Sequence, residues 1–190
     1  MLDQSGLAAA SGLSEERVRA IVREELERAQ KRDPAAKKAA IIASKGTLDW
    51  AYPPLNLGAS AAASGMQVSI FFTFYGMNII HKDFERLLRI SPVANPAMPM
   101  PLPMPDLVSA MPGMIPFATR MMRSRFKRQG LAPIRELLDV NRELGVRLVA
   151  CETTLKVMGY SRDDFIEGVE FAGGVAFLTQ ARHAHLTLFI

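Results

Sequence analysis

Two apolar runs without polar alternation, KKAAIIAS from Lys37 and MQVSIFFTF from Met66, constrain this chain more than any other feature. A strand with one wet face alternates apolar and polar residues, whereas a strand covered on both faces does not. Between the runs, SKGT makes a turn and LDWAYPPLNLGASAAASG reads as a small-residue-rich helix ending at Gly65. Parallel neighbours cannot be joined by a tight turn, so two strands separated by a crossover of about twenty residues make a parallel unit. VRLVAC, GVEFAGG and HLTLFI supply further strands, with helical patterning in APIRELLDVNRELG and GVAFLTQARHA between them. The expectation is an α/β fold with a mainly parallel sheet of about five strands.

The same region contains an uncharged stretch, Ala51 to Ile80, which in length alone could span a bilayer. Pro53, Pro54, Asn56, Gly58, Ser60, Ser64, Gly65 and Gln67 interrupt it, and QVSIFFTF has the β-branched and aromatic character of a strand. A helix followed by a buried strand accounts for the stretch better than a membrane span does.

Residues 1–36 read as an appendage to a domain at 37–190. Ser14 suits a helix N-cap, Leu13 and Val18 can staple across it, and Val18, Ile21, Val22 and Leu26 recur at helical spacing, which makes an N-terminal amphipathic helix. Tyr75 to Ser91 is a connection with a short helix around KDFERLLR. Residues 92–116 hold eight of the twelve prolines, and no regular element is expected to survive there. So long a Met/Pro-rich loop serves as a lid, as an adaptable apolar surface for a protein or membrane, or as part of an oligomer interface.

Cys151 is the only cysteine, which excludes an internal disulfide and any metal centre built from several thiolates. That usage, and an N-terminus without a basic segment before an apolar one, fit a cytoplasmic protein. Net charge is +4, with no basic stripe interleaved with aromatics, so nucleic acid is not the expected partner. His81 stands alone and His183 and His185 lie two apart with no carboxylate at ligand spacing, so no metal site is expected. Arg120, Arg123, Arg125, Lys127 and Arg128 make a basic helical stretch, ordinarily a solvated face, that is also available to an acidic partner or anionic lipid.

Cys151 closes the strand VRLVAC and precedes ETTLKVMG, a short helical segment stopped by Gly159. Ligands of open parallel sheets sit beyond the carboxyl ends of the strands, and amides at a helix start favour thiolate over thiol. Against this, cysteine is commonly a small inert core residue. The loop SKGT reaches the same edge and offers Ser44, Lys45, Gly46 and Thr47 to an anion, although without the glycine pattern of a phosphate loop it more often is a plain turn. Thr73, Tyr75 and Gly76 leave the second strand toward that edge, where Tyr75 is expected to be a partly buried packing residue rather than a proton donor.

From about Lys37 to Ile190 the chain resembles the DsrE/DsrF-like sulfur-transfer family, in a larger subgroup with an inserted Met/Pro loop. The resemblance is carried by IIASKGTLDWAYPPLNLG, FFTFYGMNII, SPVANPAMPMP with the later MPGM, and ACETTLKVMGYSRDDFIEGVEFAGGVAFL before the final TLFI. It implies a flavodoxin-like three-layer domain and a sulfur carrier or sulfurtransferase component in which Cys151 holds a sulfane sulfur as a persulfide. Such transfer between thiols needs no metal or organic cofactor. Ser44, Lys45, Gly46, Thr47, Tyr75, Thr153 and Thr154 would lie around that cysteine. The resemblance further implies rhodanese-like and TusA-like partners, a homotrimer or homohexamer, and for some relatives peripheral contact with a membrane. Two alternatives stand beside it. One is a non-catalytic oligomeric or membrane-associated interaction protein; the other is a flavin or nucleotide binder using the SKGT loop.

Overall fold

The computed structural model describes residues 37–91 and 113–190. The chain divides into units Met1–Ala36 and Lys37–Ile190. The expected N-terminal helix, and most of the Met/Pro segment, lie outside the described residues.

Five strands form one parallel sheet: β1 (Lys38–Ala43), β2 (Gln67–Phe72), β3 (Arg147–Cys151), β4 (Glu170–Ala172) and β5 (Leu186–Phe189), in the order β4-β3-β2-β1-β5. The helices are α1 (Leu48–Ala63), α2 (Phe84–Leu87), α3 (Met114–Arg128), α4 (Ile134–Glu143), α5 (Glu152–Met158) and α6 (Gly174–Ala181). Short 3-10 turns cover Phe74–Ile79 and Arg162–Asp164.

This order decides which face each helix covers. Parallel crossovers are right-handed, so the steps β1 to β2 to β3 to β4 lay their helices on one face, and the return from β4 to β5 lays α6 on the other. The residues agree. Alternate strand positions Ala39, Ile41, Ala43, Val68, Ile70, Phe72, Leu148 and Ala150 pack with Leu48, Leu55, Leu137 and Leu138 from α1 and α4, and Leu155 of α5 packs on the same cluster. The intervening positions Ala40, Phe71, Val149 and Cys151 pack with Phe177 and Ala181 of α6. The result is the expected three-layer α/β architecture, with the fifth strand outside β1.

The first face is thick. Phe126 of α3 meets Tyr52 of α1 edge-on, with ring centroids 4.9 Å apart. The fully buried Asn141 donates from Nδ2 to the carbonyls of Leu55 and Leu137, while its Oδ1 has no protein partner. Helix α1 tolerates Pro53 and Pro54 because the carbonyls they strand, four residues back, belong to the exposed Asp49 and Trp50.

Two expectations meet this structure directly. Ala51 to Ile80 resolves into most of α1, then β2, then a 3-10 turn, and no helix among the described residues is long and apolar enough to cross a membrane. The proline-rich loop, expected to run to residue 116, ends earlier: Met114, Ile115 and Pro116 already belong to α3. Pro116 sits in the first helical turn, where a backbone N–H has no partner within the helix, so its missing donor costs nothing there.

Candidate functional site

Helices that follow adjacent strands onto opposite faces leave a crevice between those strands at their carboxyl ends. Here β3 leads into α5 on the thick face and β4 leads into α6 on the thin one, as the packing of Leu155 and Phe177 shows. The switch therefore falls between β3 and β4, where Cys151 is paired with Ala172. After Ala172 the chain turns through Gly173 and Gly174, where an added Cβ would meet nothing within 4 Å. The backbone beside Cys151 is thus uncrowded.

The Cys151 side chain itself faces the thin side and is only 6% exposed. Its apolar neighbours are Ala40, Phe71, Val149, Phe177 and Ala181. Burial alone would push its thiol pKa up, and it does contribute in that direction. The hydroxyl and N–H of Thr154, the hydroxyl of Thr73 and the N–H of Thr153 act the other way, and together they hold the thiol below its ordinary value. The sulfur is a buried group that polar donors nevertheless bias toward thiolate.

Those donors come from two neighbouring strand ends. Phe72 is opposite Ala150 in the β2–β3 register, so Thr73 comes level with Cys151. Thr73 Oγ1 lies 3.0 Å from Thr154 Oγ1, and the N–H of Phe74 donates to Thr154 Oγ1 at 3.2 Å. Phe74 is the one non-glycine with a positive φ, 46°, among the described residues. The sequence pattern brought Thr73, Thr153 and Thr154 to this edge, but it assigned no role to the Thr73 hydroxyl and none to the N–H of Phe74. The signal was the parallel register, in which FFT and VAC end side by side.

The SKGT loop is used differently. Ser44 Oγ donates to the carbonyl of Ile190 at 3.0 Å, Thr47 Oγ1 donates to Asp49 Oδ1 at 2.6 Å, and Lys45 Nζ lies 3.2 Å from the ring centroid of Trp50. Gly46 lets the loop approach the turn after β2: a Cβ there would lie 2.0 Å from the Tyr75 carbonyl oxygen. Gly76 answers from the other side, where a Cβ would lie 2.1 Å from the carbonyl oxygen of Ala43. Glycine at both positions is a packing requirement, and the loop's side-chain donors are already engaged within the chain. Tyr75 departs from expectation, being 66% exposed. Its backbone carbonyl is pressed against Gly46, while its ring faces solvent.

His81 and Arg123 make contacts within the fold. The Nδ1 of His81 accepts the N–H of Asp83, and Arg123 of α3 donates to the carbonyls of Glu85 and Leu88, which ties the basic helix to α2. No group of three His, Cys, Asp or Glu side chains among the described residues could hold a metal ion.

Comparison with known proteins adds an independent line. The family model for DsrE/DsrF/DrsH-like proteins matches residues 35–189. A protein of Allochromatium vinosum named sulfur carrier protein DsrE2 is 44% identical over 158 residues, which is 81% of this chain and 98% of that one. The uncharacterized protein YrkE of Bacillus subtilis is 26% identical over 157 residues, 81% of this chain and 97% of its own. Among solved structures, a Methanobacterium thermoautotrophicum protein of unknown function, MTH1491, aligns over 81% of this chain and 99% of its own, with a TM-score of 0.46 and 12% identity. The family match spans the whole sheet, Cys151 and the thin face, and on it the chain belongs to the DsrE/DsrF/DrsH-like family.

Proposed function

We propose that this protein is a sulfur carrier that takes a sulfane sulfur onto Cys151 as a persulfide and yields it to a thiol of a partner protein. The observation that carries the reading is the place of the chain's single sulfhydryl, at the switch between β3 and β4 beside the Thr73–Thr154 hydroxyl pair, where its thiol is held below its ordinary value. The name and 44% identity of the Allochromatium relative support it.

The chemistry is two displacements without net oxidation. The Cys151 thiolate attacks the outer sulfur of a donor persulfide, forming a new S–S bond as the donor's S–S bond breaks and its thiolate leaves. An acceptor thiolate then attacks the outer sulfur now on Cys151, and the Cys151 thiolate departs. A lowered thiol pKa serves both halves, since it raises the thiolate fraction and improves the leaving group. A lone cysteine is enough for this carrier cycle, which closes without a resolving thiol. Donors and acceptors are of the rhodanese-like and TusA-like kind, working in the cytoplasm, where a solitary thiol stays reduced. The exposed Val175, Leu178 and Phe189, on α6 and β5, support self-association, and the family resemblance makes that assembly a homotrimer or homohexamer.

Incubation with a sulfane-sulfur donor followed by intact-mass spectrometry tests the reading. Addition of one sulfur to the native protein, reversed by a thiol reductant and absent from Cys151→Ser, is the expected result. A protein that gains no sulfur, or a serine variant that gains as much, overturns it.

A further inference from the structure

We propose that Phe74 and Tyr75 are the docking anchor for the protein that exchanges sulfur with Cys151, and that this partner carries its own reacting cysteine within an apolar surface. The proposal rests on the reading of Cys151 as the sulfur-bearing residue and names the surface through which that residue is reached.

Register places the pair beside the sulfur. Thr73 comes level with Cys151 at the end of the neighbouring strand, so Phe74 and Tyr75 are the first residues beyond that level. Adjacent strands lie about 4.8 Å apart, and a protein whose thiol touches the Cys151 sulfur therefore also covers this turn. On the other flank, the open space at Gly173 and Gly174 leaves room for the partner's reacting segment.

The turn is a fixed platform. The Thr73 N–H donates to the carbonyl of Ala43 at 3.0 Å, and the Gly76 N–H donates to the carbonyls of Ser44 at 3.1 Å and Thr73 at 3.0 Å. Gly46 and Gly76 approach the Tyr75 and Ala43 carbonyls so closely that neither admits a Cβ. From this frame Phe74 is 57% exposed and Tyr75 66%. Aromatic side chains held in place before contact lose little freedom on binding, which is why such residues dominate protein interfaces.

Phe74 supplies an independent reason. The packing of the turn and the N–H that reaches Thr154 Oγ1 at 3.2 Å account for its backbone φ of 46°, but glycine or asparagine would adopt that conformation at less cost. Neither accounts for an aromatic ring more than half in solvent. An unfavourable conformation kept for a side chain that the fold does not bury implies a use outside the fold.

Area and charge decide the kind of partner. At their observed exposures the two rings present about 250 Å² of surface, whereas a stable interface covers about 800 Å² on each side. The pair thus suits a short-lived contact, as a carrier needs if donor and acceptor are to take turns, and not a permanent second copy. The charges next to the contact are engaged within the chain, Glu152 by Arg162 at 2.7 Å and Lys45 on the Trp50 ring at 3.2 Å. An apolar partner surface fits such an edge.

The test follows loading of Cys151 by intact mass, with a persulfidated rhodanese-type protein as one donor and glutathione persulfide as the other. Phe74→Asn, Tyr75→Ser and the double variant remove the rings; asparagine tolerates a positive φ, and every backbone donor stays in place. Each single variant is expected to load from the protein donor at least about tenfold more slowly, and the double variant more slowly still. Stability in urea and the Cys151 titration midpoint, read by ultraviolet thiolate absorbance with Cys151→Ser as baseline, should stay native. Phe74→Gly replaces the asparagine variant should that one not fold. A double variant that loads from the protein donor at the native rate overturns the proposal. So does slower loading accompanied by a shifted titration midpoint or lower stability, since the rings would then belong to the fold. A native protein that takes sulfur from glutathione persulfide but not from the protein donor overturns the docking proposal and leaves the carrier reading standing; one that takes sulfur from neither overturns the carrier reading, and the anchor with it.

Discussion

The two faces of the sheet are built to different standards. On the thick face, Ile41, Ile70, Phe72 and Leu148 are at most 1% exposed beneath α1 and α4, and one buried polar side chain, Asn141, bridges those helices. On the thin face, a single eight-residue helix among the described residues, α6, covers the centre of the sheet through Phe177 and Ala181, with Phe177 stacked on Phe71 at 4.5 Å. Val175 and Leu178 of the same helix point outward, and Phe189 at the sheet edge is 74% exposed. The cysteine belongs to the thin face. The difference follows from topology, since three crossovers step one way and one returns, and it teaches that the stabilising mass of this fold and its reactive atom lie on opposite sides of one layer of strands.

The largest effect should therefore come from the face without the sulfur. Ile70→Ala removes a fully buried side chain from the central strand and leaves a cavity under α1, costing about 3 to 4 kcal/mol. Urea unfolding measures the loss, and the Cys151 midpoint in the folded variant should stay native. A shifted midpoint would break the separation of the two faces.

Phe177→Leu perturbs the thin face more gently, because leucine keeps most of the volume but loses the stacking on Phe71. A destabilisation of about 1 to 1.5 kcal/mol is expected. The sharper readout is kinetic: iodoacetamide should alkylate Cys151 several-fold faster as its cover loosens, a change that Ile70→Ala lacks under folding conditions. Equal alkylation rates in the two variants would mean that α6 does not control access to the sulfur.

Much of this was legible in the sequence, and the reasons are physical. Unalternating runs report burial on both faces, so KAAIIA and QVSIFF announced a parallel sheet, and strand endings at Cys151 and Thr73 announced the edge where a site forms. What the sequence hid were long-range consequences. Strand order alone decides that α6 lies on the face opposite α1, α4 and α5 and that the switch falls beside Cys151, and order is set by packing of segments far apart in the chain. The SKGT loop looked like a donor cluster because its residues are polar; its contacts with Trp50, Asp49, Ile190 and Tyr75 depend on partners that local pattern does not reveal. The positive φ of Phe74 was equally invisible, since an aromatic is a poor marker for that conformation.

The smallest expected effect concerns the other end of the thin face, and it carries a sign. Arg147, at the start of β3, donates from Nε to Glu170 Oε1 at 2.8 Å and from Nη1 to Gln180 Oε1 at 2.7 Å, so it pins α6 to β3 and β4 at the end opposite Cys151. The hydrogen bond from Arg147 holds the Glu170 carboxyl below the usual carboxylate range, against the upward push of burial and with the help of the guanidinium charge. A carboxylate with a depressed folded-state pKa contributes stability above its unfolded value, near 4.3, and loses it as pH falls through the lower folded value. Both side chains are close to half exposed, so screening reduces the contribution to about 0.5 kcal/mol. Urea unfolding of the native protein and Glu170→Gln should accordingly differ by that amount at pH 7 and converge in acid below about pH 4. On the thick face, by contrast, the polar side chain buried between α1 and α4, Asn141, does not titrate. The absence of any gap at pH 7 would show that Gln180 and Arg147 hold α6 without the carboxylate, and the clamp on the thin face would then be a neutral one.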